Sequence, residues 1–257
     1  MSARRRHRRI GHAAAAVGAI GWVTLGVAGL SPDLPRLCSA NGWNLTSQFL
    51  AAAQRNAPLA IALTYLAMLA ATMAPLLVAP LREVSDRAVA SRRAAALGVF
   101  AGAYALAWVA AAPLFALTFL WLATAFAPGS PWPLVIPPAL VLGWHMSAWR
   151  QAALNRCHRR LTSLVLPGSG LAHLAREGLG QGAACVAACG PIMLWAMAQQ
   201  DWHLAMMGIA ALFVWAERRL PPEKPRWGTA NLRRTAERLS YSARYAARQH
   251  RAMLRHG

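Results

Sequence analysis

The chain of 257 residues is 57% hydrophobic and only 14% charged, yet it carries a formal charge of +19. That combination excludes an ordinary water-soluble domain, and four scattered cysteines exclude a disulfide scaffold. Apolar runs near or above eighteen residues recur instead, and a bilayer core of ~30 Å takes about 20 helical residues to cross. The runs are continuous and rich in Ala and Leu rather than alternating, so an all-α polytopic membrane bundle is expected and a closed barrel is not.

About six transmembrane helices are predicted. Residues 1–9 form a basic start, and the first span covers 10–30. Its length, and the lack of a small-residue cleavage site after it, speak for a retained helix rather than a removed signal peptide. An outer segment follows, in which Trp43 to Ala53 reads as an interfacial helix. Span two covers 58–80, bounded by Pro58 and Pro80. Span three covers 94–117, but its apolar run continues to Ala127, about 51 Å of helix at ~1.5 Å per residue. A kink at Pro113 is therefore expected, with Phe115 to Phe126 at the outer interface or partly re-entrant. Spans four, five and six cover 132–149, 179–198 and 202–217, within a helical domain over 10–220. In the basic tail, 221–257, Leu232, Ala236, Leu239, Ala243, Ala246, His250 and Met253 recur at spacings of four and three. This pattern suits an amphipathic helix on an anionic lipid surface or a solvated basic tail; a nucleic-acid contact is disfavoured because no recognised module accompanies it.

Charge placement sets the expected orientation, because basic short loops stay on the cytoplasmic side. Apart from Arg36 and Arg55, every Lys and Arg falls before span one, between spans two and three, between spans four and five, or after span six. Both ends are thus expected in the cytoplasm, with the protein in a bacterial inner membrane. Trp43, Trp132 and Trp202 mark the outer boundary, and Trp149 and Trp227 the inner one. Gly98-xxx-Gly102 and Gly178-xxx-Gly182 offer two faces for close helix packing.

None of the eight acidic residues lies near the middle of a span, which disfavours a carboxylate-driven pump. No Walker, HExxH or GxSxG motif is present, so a non-enzymatic protein is expected. Soft donors stand out instead. Cys185, Cys189, Met193 and Met197 repeat every four residues in span five, sharing one face that rotates slowly. His203, Met206 and Met207 open span six; Met68 and Met73 lie in span two, and His145 and Met146 in span four. Cys157-His158 follows span four on the inner side, where it could approach Cys185. Thiolate and thioether donors favour copper(I), with zinc as the alternative. Methionine and cysteine also serve as ordinary apolar filling, so the methionines read first as core, while Cys185 with Cys189 reads equally as core or as a ligand pair. Pro191 removes a backbone hydrogen bond to Ala187 beside Cys189 and should loosen the helix there.

Several stretches carry a resemblance: Met73-Ala74-Pro75-Leu76-Leu77, Pro80-Leu81-Arg82-Glu83-Val84, Asn155-Arg156-Cys157-His158-Arg159, the run from Gly182 to Cys189, His203-Leu204, Glu217-Arg218 and Pro225-Arg226-Trp227. In this order, from Thr64 to Trp227, the chain resembles a bacterial family of integral membrane proteins of unknown function, described as metal-binding, some of whose members are labelled copper chaperones. The resemblance implies a metal role, but it departs from the family pattern at Ala153 and Glu177, where members often carry Cys and His, and at Gly190, where Trp is common. The expected function is binding of a soft metal, copper(I) first, for delivery to a client metalloprotein or its assembly. Cys185 and Cys189 are the primary ligands, with Cys157, His158 and Met193 as candidates and Met197, His203, Met206 and Met207 as an outer relay. The alternatives are a metal-free scaffold or accessory subunit of a membrane complex and, less favoured, a metal or small-solute permease.

Overall fold

The computed structural model describes residues 2–30, 58–125, 132–158, 161, 170–197, 203–230, 232–242 and 244. Their architecture is all-helical: α1 (Ala3–Leu30), α2 (Pro58–Met73), a 3₁₀ turn (Ala74–Leu77), α3 (Val78–Arg87), a second 3₁₀ turn (Ala90–Arg92), α4 (Arg93–Ala125), α5 (Trp132–His145), α6 (Ala148–Cys157), α7 (Gly170–Met197) and α8 (His203–Glu217). The expected interfacial helix at 43–53 and the tail beyond residue 244 lie outside the described residues.

Four helical stretches are long and apolar enough to cross a membrane: Ala3–Val27, Ala62–Arg87, Ala90–Thr118 and Gly170–Ala196. The other two apolar helices, Val135–His145 and Leu204–Glu217, are shorter. The outer surface suits lipid, since Ile20, Val23, Leu114, Leu117, Leu140 and Leu212 are each at least 60% exposed.

Several boundaries differ from those read in the sequence. α4 runs as helix through Pro113 to Ala125 with no separate segment after the proline. Span two gives way at Met73 to a tight turn whose first residues include Pro75. Span four stops at His145 because Ser147 caps a new helix, its Oγ accepting the backbone N–H of Arg150 at 3.1 Å. α7 starts at Gly170, nine residues before the expected span. Its first turns are amphipathic, and Leu174 is buried with Val84 and Phe100 in a small core at that end.

Backbone contact between helices sets the frame. α4 and α7 pack along much of their length. A Cβ at Gly178 would lie 2.6 Å from the Phe100 carbonyl oxygen, and one at Gly182 would lie 2.7 Å from both the Tyr104 carbonyl oxygen and the Ala107 Cβ. Gly178-xxx-Gly182 is therefore an interface within the bundle. Gly98 and Gly102 meet nothing within 4 Å, so the second glycine pair faces away from its described neighbours. Gly21 plays the same part between α1 and α2, where a Cβ would sit 2.5 Å from the Ala71 nitrogen.

The basic segments are tied together by a chain of contacts. Arg6 and His7 of α1 reach Asp86 of α3 at 3.2 and 2.8 Å, and Arg87 donates to the Leu161 carbonyl. Arg234 pairs with Glu223, and Arg238 donates to the Arg219 carbonyl at 2.9 Å, folding helical residues 232–242 back onto the end of α8. Gly228, at φ +143°, bends the chain so that its N–H reaches the Met146 carbonyl at 3.0 Å. Beside it, Trp149 and Trp227 meet edge to face at 6.1 Å, and both are exposed.

At the heart of this region lies a fully buried ion pair. Arg150 of α6 grips Glu217 of α8 with both Nη atoms, Nη1 to Oε1 at 2.9 Å, with side-chain exposures of 0% and 1%. Removing one partner strands the other charge without water, at a cost of about 3–5 kcal/mol. Glu217→Gln is thus expected to lower the unfolding temperature in detergent sharply, and Arg150→Met combined with Glu217→Leu to recover part of the loss; an unchanged Glu217→Gln protein would contradict the pairing. Overpacking a close crossing costs about 1–3 kcal/mol, so Gly182→Ala should also lower the melting point. Gly102→Ala, facing open space, should not, and equal responses would show that the two glycines do not differ as described.

Candidate metal centre

α7 carries the sulfur stripe because an i, i+4 spacing returns to the same helix face. Cys185 and Cys189 are 0% exposed and Met193 is buried, all three in the main core. The Cys185 and Cys189 Sγ atoms lie 3.9 Å apart. A third sulfur arrives from another helix: Met73, at the end of α2, places its Sδ 4.0 Å from the Cys185 Sγ. Tyr104 of α4 directs its hydroxyl at the same Sδ from 3.9 Å. Cys157, at the end of α6, is also buried, in the same core as Cys185 and Cys189.

These spacings suit a shared ion. Two sulfurs bound at ~2.3 Å to one metal lie between ~3.8 Å apart for a tetrahedral angle and ~4.6 Å for a linear one. Both separations, 3.9 and 4.0 Å, fall in that window. Among the described residues no three of His, Cys, Asp or Glu form a metal-binding group; the third soft donor beside the cysteine pair is the Met73 thioether. Two thiols and a thioether are a soft donor set, which favours copper(I) over harder ions.

Pro191 was expected to loosen α7 beside Cys189. Instead, neighbouring helices replace what it removes. The Ala187 carbonyl, which would have bonded the missing N–H, accepts from Trp144 Nε1 at 2.9 Å. The next carbonyl, Ala188, accepts from Arg150 Nε at 3.0 Å. The helix turn that carries Cys189 is thereby held from α5 and α6.

The remaining candidates are placed variously. His158 is engaged at both ring nitrogens, Nδ1 at 2.9 Å from the Leu154 carbonyl and Nε2 at 2.9 Å from the Arg218 carbonyl. It fastens α6 to the end of α8 and has no ring lone pair turned to the sulfurs. Met207 is buried in the same core as the cysteines, and Met206 is packed against it. Met197 and His203 lie in α7 and α8, but their side chains are outside the described residues.

Two neighbours of the thiols were not singled out as site residues from the sequence. Met73 could have been found, because Met73-Ala74-Pro75 is among the stretches that carry the resemblance. Arg218 could not be distinguished from the other basic residues after span six. Its Nη1 donates to the Cys157 carbonyl at 3.2 Å, beside Gln181 Nε2 at 3.0 Å, and its guanidinium lies within electrostatic reach of Cys185, Cys157, Tyr104 and Cys189.

The family described as "PpoB2: Copper chaperone" matches residues 62–232, a stretch that takes in Met73, Cys157, Cys185, Cys189, Met193 and Arg218. No curated protein and no solved structure matches the chain. With two thirds of its length matched, the chain belongs to the PpoB2 copper chaperone family.

Proposed function

We propose that this protein is a non-enzymatic, multi-pass protein of the bacterial inner membrane that holds copper(I) as cargo on Cys185, Cys189 and Met73 and hands it to a client metalloprotein. The observation that carries the reading is the group of three buried sulfurs at 3.9 and 4.0 Å from one another's neighbour in sequence of contact, Cys189 to Cys185 to Met73. Cys157, buried in the same core, would lead to this group from the α6 end. Met193 and Met207, with Met206, Met197 and His203 further along α7 and α8, would continue the soft donors toward the other face. Zinc is the weaker cargo, since the imidazole nearest in sequence, His158, is committed to backbone carbonyls.

A metal-free scaffold remains the second reading. The close packing of Gly178 and Gly182 inside the bundle counts against it, because that face is not free to receive a partner. A permease has no observation in its favour. The membrane topology proposed here has six spans with both ends in the cytoplasm, the two shorter helices α5 and α8 included, and the basic tail resting on anionic lipid. It is supported by the contacts that join the start of α1, the end of α3 and the tail, made by Asp86, Arg87, Leu161, His158, Arg218 and Arg219.

Copper(I) supplied to purified protein under reducing conditions should load near one ion per chain. Cys185→Ser with Cys189→Ser should abolish loading, and Met73→Leu, which preserves apolar volume, should weaken it about tenfold, as expected for losing one neutral ligand of three, or roughly 1.4 kcal/mol. Metal analysis and competition with a copper(I) chelator measure both; equal copper in the wild-type and double-serine proteins would remove the assignment. For the topology, a C-terminal tag should resist protease added to the outside of spheroplasts, and cleavage there would reverse the orientation.

A further inference from the structure

The charges around the sulfur group do not cancel once the partly buried Arg218 is counted. Glu217 neutralises Arg150, with both carboxylate oxygens taken. Arg218 follows directly in sequence and makes no ion pair with a carboxylate among the described residues. Its Nε is buried without a hydrogen-bond partner, and its Nη1 is directed at the Cys157 carbonyl beside the thiols. One positive charge is thus left over at the Cys157 end of the core that holds Cys185 and Cys189. Arg218 is partly exposed, but its Nε is withdrawn from water, and a cation in that position favours a net negative charge close by over a neutral group.

The loaded site would supply that charge. Two cysteines lose two protons on binding a metal. With copper(I) the two thiolates and the ion together carry one negative charge; Met73 is neutral, and Cys157 remains a thiol. With zinc(II) the same ligands carry none. We infer that Arg218 is the counter-charge of the metal–dithiolate group and that it sets the cargo's valence, favouring a monovalent over a divalent ion. The inference rests on the copper reading above and adds to it a residue that touches no metal. Arg218 stays positive throughout, and the number of charges on the metal decides whether the buried group is neutral.

The test compares copper(I) and zinc(II) affinities of the full-length protein in detergent, by competition with chelators, for wild type, Arg218→Met and Arg218→Lys. Arg218→Met should weaken copper(I) binding at least tenfold while leaving zinc(II) binding unchanged or tighter. Arg218→Lys, which keeps the charge but loses the planar fork, should retain most of the copper(I) preference. If Arg218→Met does not fold, Arg218→Gln, which keeps a donor for the Cys157 carbonyl, serves in its place with the same expectation. Loss of both metals in equal measure, or no change in either, or a Lys variant as poor as the Met variant, would overturn the inference while leaving the copper site standing. Failure of the wild type to bind copper(I) would instead overturn the site itself, and the role of Arg218 with it.

Discussion

A helix packed away from water cannot leave a backbone carbonyl without a donor, because nothing else is at hand to supply one. α7 meets this constraint at its most demanding point, where Pro191 deletes an N–H one turn beyond Ala187. Trp144 reaches the freed carbonyl and Arg150 the next one. Arg150 is then a charge in a dry interior, and Glu217 is needed to match it. A single proline on the sulfur-bearing helix thus accounts for an indole from α5, a guanidinium from α6 and a carboxylate from α8. Tension between these groups would be felt first at Cys189, which follows Ala188 directly.

The second organising feature is steric. Gly178 and Gly182 bring the backbones of α4 and α7 so close that no side chain fits between them. That approach carries Tyr104, opposite Gly182, toward Met73, and so fixes one side of the sulfur group. Small residues and soft donors therefore belong to one design: the former set how near the helices come, and the latter occupy the space that remains. Trp108 and Phe115, at 6.2 Å and edge to face, fill the next layer along α4.

How far this was legible in the sequence depends on the range of the interaction. Cys185 and Cys189 could be paired from spacing alone, since a helix periodicity is local. Met73 could be seen as a soft donor but not placed, because its distance to Cys185 depends on how α2 docks, and no single-chain periodicity reports that. Of two identical-looking glycine patterns one is buried and one is not; composition cannot separate them, as the difference lies in what the opposite helix presents. The break at His145 was missed because Ser147 caps the next helix inside a stretch that hydropathy reads as continuous. The early start of α7 was missed for the converse reason, since amphipathic turns do not register as a span. Charge counts located Arg218 and Glu217 at the end of span six. They could not show that Glu217 is engaged by Arg150 rather than by its neighbour in sequence, and that distinction leaves one cation over.

The complete burial of Cys185 and Cys189 bears on timing as well as affinity. On the proposed reading, a thiol pair with no exposed surface could not be approached by a free competitor, so exchange would proceed through a transient parting of helices or by stepwise substitution from an adjoining sulfur. In the first case the residence time of an occupant is set by how often α2 and α7 separate, not by the strength of its bonds. In the second it is set by the gap to Cys157 on one side and to Met193 on the other. The bundle would then act as a clock for its occupant.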